Sequence, residues 1–103
     1  MQMFGLAVAV AAAVAAQAFA QDRANVTISD FKFNPDSVSI APNQPIVWTN
    51  KDSVPHQVAV SGGKLKTDVI SRGQSKTLSF AESGIYDYIC SIHPSMKGKI
   101  VVK

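Results

Sequence analysis

Cys90-Ser91-Ile92-His93-Pro94-Ser95-Met96 sets a thiol, an imidazole and a thioether at three-residue intervals. Each of these side chains binds soft or borderline metal ions. The residues on either side read as strands, Ile85 to Cys90 before the stretch and Lys99 to Val102 after it. The stretch is then a loop joining two strands. Extended, its six steps span ~20 Å, so it must curl if the three side chains are to meet. Pro94 favours this by fixing its own backbone and restricting His93. Gly98 beyond it permits a tight exit or a close backbone approach.

Working outward, a fourth group lies upstream in Val54-Pro55-His56. Cys90 is the only cysteine, His56 and His93 are the only histidines, and Met96 is the only methionine beyond Met1 and Met3. Two imidazoles, one thiolate and a weak thioether form the ligand set of a blue-copper electron-transfer site. Cu(I) favours sulfur and low coordination, Cu(II) favours nitrogen, and this set suits both. Metal binding itself deprotonates the thiol. Four protein ligands leave no open position for a substrate, which argues for electron transfer and against a copper enzyme. His56, Cys90, His93 and Met96 are therefore predicted to hold one type 1 copper ion. Asn50, Ser53 and Gln57 are candidates for hydrogen bonds that brace the ligand loops.

The rest of the chain fits short strands punctuated by turns. Val26 and Ile28 alternate with polar neighbours, then Phe31 and Phe33, then Val38 and Ile40. Asn34-Pro35-Asp36 and Ala41-Pro42-Asn43 are turn signals. Strands are predicted over Gln44–Asn50, Gln57–Val60 and Ser75–Phe80, with a weak strand or irregular segment over Lys64–Ile70. Seven or eight strands with no helical period predict a two-sheet antiparallel sandwich. Side-chain parity supports the metal site. His56 shares a face with Val58 and Val60, Met96 with Ile100 and Val102 if the last strand starts that early, and Cys90 with Tyr86 and Tyr88, although Ile85 and Ile89 opposite could equally be the core side.

Of the 103 residues, the first 20 read as an export signal. Leu6 to Ala16 is an apolar run of 11 residues followed by Ala18-Phe19-Ala20, a small-x-small processing site. The run is too short for a membrane span, which needs about 20 residues. Its departure from the usual pattern is the lack of Lys or Arg ahead of the apolar run. Cleavage after Ala20 leaves a single domain, residues 21–103, with no membrane span. The net charge of +3 is spread along that domain without a basic block, which excludes the usual footprint of nucleic acid binding. One cysteine cannot form an internal disulfide, and so small an exported domain needs a staple. A bound metal supplies one.

Asn50-Lys51-Asp52-Ser53-Val54-Pro55-His56 together with Tyr88 to Gly98 resembles the cupredoxins, in their amicyanin and plastocyanin branch. The short Cys-x2-His-x2-Met loop is similar to that of the amicyanins, and Phe31-Lys32-Phe33-Asn34-Pro35 matches the family's early strand. The resemblance implies a Greek-key antiparallel β-sandwich with His56, Cys90 and His93 as equatorial ligands and Met96 as the axial one. It implies a periplasmic one-electron carrier, not an enzyme. It further implies a monomer with transient redox partners, a dehydrogenase or a cytochrome c type donor or acceptor. Two departures stand out. Gln57 takes a position where the family often has Asn, and the expected mature chain, residues 21–103, is shorter at its N-terminus than the amicyanins and is expected to lack their extra N-terminal strand.

Other readings of the same residues are a sandwich with a buried cysteine and incidental histidines, a Cys90 nucleophile with a histidine base, and a structural zinc site. The nucleophile reading leaves Met96 unexplained, and zinc sites rarely use methionine. A periplasmic copper carrier or buffer without redox traffic uses the same four ligands. In the electron-transfer reading, electrons leave by the edge of His93. Val54, Pro55, Ile92 and Pro94 then form an apolar docking patch with Lys51, Lys97 and Lys99 at its rim.

Overall fold

Apolar alternation is realised as eight short strands in the computed structural model, which describes residues 22–63 and 65–103. The export signal expected over residues 1–20 lies outside the described residues. The strands are β1 (Ala24–Ser29), β2 (Lys32–Asn34), β3 (Ser37–Ile40), β4 (Ile46–Asn50), β5 (Val58–Val60), β6 (Ser75–Leu78), β7 (Gly84–Cys90) and β8 (Lys97–Val102). They form two four-stranded sheets, ordered β2-β1-β4-β6 and β3-β8-β7-β5.

The expected sandwich is thus present, with one refinement. β1 pairs with β4 and β3 with β8 in parallel, while the other pairs are antiparallel. Both sheets are therefore mixed. The parallel pairs arise where the chain leaves one sheet, crosses to the other and returns. Pro35 stands at one such crossing, between β2 and β3, where it interrupts strand pairing by lacking an amide hydrogen.

The core lies between the sheets and is built from the alternate residues the sequence marked. Val26 and Ile28 of β1, Ile46 and Trp48 of β4, Val58 and Val60 of β5, and Ile100 and Val102 of β8 are all buried. Trp48 and Tyr88 join the two sheets at the centre, the indole Nε1 donating to the Tyr88 hydroxyl at 3.2 Å. Phe33 packs on the same tyrosine ring, with centroids 4.7 Å apart. On β7, where parity left either side open, the tyrosine side faces the core and Ile85 on the opposite side is 68% exposed.

Phe31 departs from the expected alternation. It lies outside the strands, in the two-residue corner between β1 and β2, and is half exposed. Both corner residues have positive φ, 53° at Asp30 and 57° at Phe31. Aspartate tolerates this region; a residue with a bulky side chain sits there at a cost of roughly 1–2 kcal/mol. The Lys66–Ile70 part of the ambiguous segment is irregular but anchored. Two isolated bridges, His56 with Ile70 and Ala59 with Lys66, tie it to the edge of β5.

Candidate metal centre

Strand ends place the four candidate residues at one end of the sheet that contains β5, β7 and β8. Cys90 is the last residue of β7, Met96 immediately precedes β8, and His93 sits in the turn between them. The turn is closed by backbone bonds, from the Cys90 amide to the Met96 carbonyl at 3.1 Å and from the Met96 amide to the His93 carbonyl at 2.9 Å. These two bonds accomplish the curl that the loop length requires. Val58 is the register partner of Cys90, so His56, two residues earlier, falls beside the cysteine across the strand pair. The ligand end therefore belongs to one sheet. Its tie to the opposite sheet runs through Asn50 and Asp52, at and just beyond the end of β4.

The donor atoms converge. Cys90 Sγ lies 3.6 Å from His56 Nδ1 and 3.7 Å from His93 Nδ1. All three donor atoms fall within 4.8 Å of one another. A first-row metal with bonds of about 2.3 Å to sulfur and 2.0 Å to nitrogen, at trigonal angles, sets sulfur and nitrogen roughly 3.7 Å apart. The spacing thus fits an ion at the centre of the three atoms. Cys90, His56 and Met96 are buried, and His93 is half-buried. Met96 joins the buried cluster with Ile100 and Val102, as parity suggested. A buried free thiol beside two imidazoles is a soft, nitrogen-and-sulfur donor set suited to copper.

Hydrogen bonds around the site hold the donors in place. The Gln57 amide donates to Cys90 Sγ at 3.4 Å and fixes the position of the sulfur. The Gln57 side chain donates to the Thr67 carbonyl at 2.7 Å and accepts from the Ser91 hydroxyl. Gln57 therefore links the two ligand loops. Asn50 is fully buried and uses both ends of its amide. Its Nδ2 donates to the carbonyls of Val54 at 2.8 Å and Ile70 at 2.9 Å, and its Oδ1 accepts from the Asp52 amide at 2.8 Å. The loop before His56 is folded around this one side chain. Ser53 is exposed in the same loop.

Two residues at the site were not singled out from the sequence. Asp52 Oδ2 accepts from His56 Nε2 at 2.8 Å, which leaves Nδ1 as the lone-pair nitrogen facing Cys90. Burial alone would raise the Asp52 carboxyl, but hydrogen bonds from the Phe31 amide, the His56 ring and the Asp30 amide outweigh it and hold it below its usual value. Phe31 is the second, its ring edge-on to both imidazoles. The spacing of Asp52, four residues before His56, was the available signal for the first. Nothing in the local pattern marked the second, because Phe31 alternates with Phe33 like a core residue.

A sandwich with a cysteine sulfur and two imidazoles at trigonal spacing on one end has the site of a type 1 copper protein. A cupredoxin-like domain profile matches residues 2–102. The chain is 39% identical over 83 residues to amicyanin-alpha of Methylorubrum extorquens, covering 76% of this chain and 70% of that one. It is 33% identical over 95 residues to the amicyanin of Paracoccus versutus, covering 87% and 72%. Among solved structures, the crystal structure of the Paracoccus versutus amicyanin superposes with a TM-score of 0.73 at 31% identity, covering 80% of this chain and 82% of that one. The reduced Cu(I) form of an amicyanin variant at pH 4 superposes with a TM-score of 0.75 at 30% identity, covering 82% and 85%. The chain belongs to the cupredoxins, and within them to the amicyanin type. Its cofactor is copper, and it is a blue copper electron carrier.

Proposed function

We propose that His56, Cys90, His93 and Met96 would hold the copper ion, which would supply a one-electron couple at this end of the sandwich. The observation that carries this is the pair of sulfur–nitrogen spacings, 3.6 and 3.7 Å, which suit a trigonal ion. The protein's part is to keep the donors still while the charge changes. Asp52 fixes the His56 ring, the Gln57 amide holds the Cys90 sulfur, and the closed turn sets His93 between Cys90 and Met96. Donors on strand ends backed by a packed core are held more closely than donors on free loops. Burial of Cys90, His56 and Met96 argues against a carrier that must hand its ion over, and so favours electron transfer.

In this reading the protein works in the periplasm as a monomer after removal of residues 1–20, between transient redox partners. The apolar run and processing site support export. Electrons pass through the half-buried edge of His93. Pro55, Pro94 and Ile92 are exposed around the ligand loops, Ile92 by 43%, and supply an apolar contact. Lys51, Lys97 and Lys99 are exposed and favour an acidic partner face. Reversing the three lysines to glutamate tests the surface with an anionic oxidant, hexacyanoferrate(III). The oxidation rate of the reduced protein is expected to fall and its salt dependence to invert. Unchanged rates and an unchanged salt slope would remove this surface from the account.

A further inference from the structure

The corner between β1 and β2 adopts a conformation that its sequence does not favour. Hairpin corners with positive φ at both central residues prefer Asn-Gly or Asp-Gly, because glycine meets no steric penalty there. This corner is Asp30-Phe31. Core packing does not explain the phenylalanine either, since it is 50% exposed. A strained backbone that persists must be held by its surroundings, and such strain clusters at functional sites.

What holds the corner is the Asp52 carboxylate. Its Oδ1 accepts from the Asp30 amide at 2.8 Å and its Oδ2 from the Phe31 amide at 3.0 Å. The same Oδ2 accepts from His56 Nε2 at 2.8 Å. One carboxylate thus joins the corner of one sheet to a ligand on the other. The clamp brings the Phe31 ring edge-on to both imidazoles, with centroids 5.5 Å from His56 at 86° and 5.0 Å from His93 at 81°. The two imidazoles are themselves 5.0 Å apart at 62°. Three rings therefore pack mutually, and Phe31 is the only one of them without a metal-binding atom.

We propose that Phe31 is a positioning residue for the copper site: clamped by Asp52, its ring sets the tilt of His56 and His93 and holds their Nδ1 atoms toward Cys90 before copper arrives. His93 depends on this contact more than His56. His56 is buried and bonded to Asp52, whereas His93 lies half-buried in a turn. The proposal rests on the ligand assignment above and adds the residue that pre-sets two of those ligands.

The test compares the full chain with F31G and F31Y, first without copper and then with Cu(II). F31G gives the corner the Asp-Gly pair that such turns prefer, so the fold is expected to melt at the same temperature or higher. In the copper-free wild type, the imidazole proton resonances of His93 are expected to be displaced by the Phe31 ring and to show contacts to it. In F31G they move toward free-histidine positions. Cu(II) affinity, measured against a competing chelator, falls by about 2- to 10-fold, the range an edge-on ring pair provides. F31Y keeps the ring and restores both. The proposal is overturned if F31G leaves the His93 resonances and copper affinity unchanged, or if F31Y loses as much as F31G. It is also overturned if F31G loses affinity only in step with a collapse in melting temperature, because the residue is then merely structural. Failure of the ligand assignment looks different. The wild type itself would then give no strong copper–thiolate band, and the copper-free resonances would still decide the role of Phe31.

Discussion

Tyr88 carries several duties in one side chain. It lies two residues before Cys90 on the same face of β7, accepts a hydrogen bond from Trp48, and packs against Phe33. Burial pushes its hydroxyl up to about 12; the bond from Trp48 opposes the shift and the negative charge of Asp36 adds to it. The folded state therefore keeps the Tyr88 proton longer than the unfolded state does. The stability linked to Tyr88 is full below about pH 10 and is lost as pH rises toward 12. A shift of this size corresponds to roughly 2–3 kcal/mol. Urea unfolding across that interval should show the loss in the wild type, and Y88F should lack that component. Equal pH dependence in the two proteins would contradict the placement. At this scale the sequence was most legible where residue types are rare. A single cysteine, two histidines and one methionine beyond Met3 can only be grouped in a few ways. Asp52 and Phe31 were hidden because carboxylates and phenylalanines are common, and only the folded chain brings them to His56.

Strand pairing shows what a glycine can decide. Gly98 of β8 is the register partner of Tyr88 on β7, and the tyrosine ring lies across it. A Cβ built at Gly98 would stand 2.2 Å from a Tyr88 ring carbon. The ring is walled in by Trp48 and Phe33 and has no room to retreat. G98A is expected to cost about 1–3 kcal/mol by overpacking. That lowers the melting temperature by roughly 5–20 °C for a domain of this size. An unchanged melting temperature would mean that the ring is not confined as described. Close approach at Gly98 was foreseeable from its place beside the ligand loop. The parallel β1–β4 and β3–β8 pairs were not, because alternation records which side of a strand is apolar and says nothing of its neighbours. The β1–β2 corner was hidden for a related reason. Without glycine or asparagine at Asp30-Phe31, the sequence carries no hairpin signal, and Phe31 passes for the next residue of a strand.

For the molecule as a whole, the copper site and the fold depend on each other. The described chain has a small core, and its only cysteine is free and buried, so no internal disulfide supports it. The donors come from two loops separated by 34 positions and are drawn together only when the sandwich forms. Binding to the folded state alone then stabilises it, by about 2.7 kcal/mol when free copper is a hundred times its dissociation constant. The melting temperature should rise by roughly 10–20 °C on loading. C90S, which removes the thiolate and little volume, should lose most of that rise. An equal rise in C90S would place copper elsewhere on the surface. The most direct measurement is the visible absorption spectrum of the protein, without residues 1–20, on addition of Cu(II). A strong band at ~600 nm from copper–thiolate charge transfer is expected, saturating at one ion per chain and absent in C90S. A faint, broad band, or a strong one that survives in C90S, would contradict the assignment of Cys90 to the copper and with it the central claim.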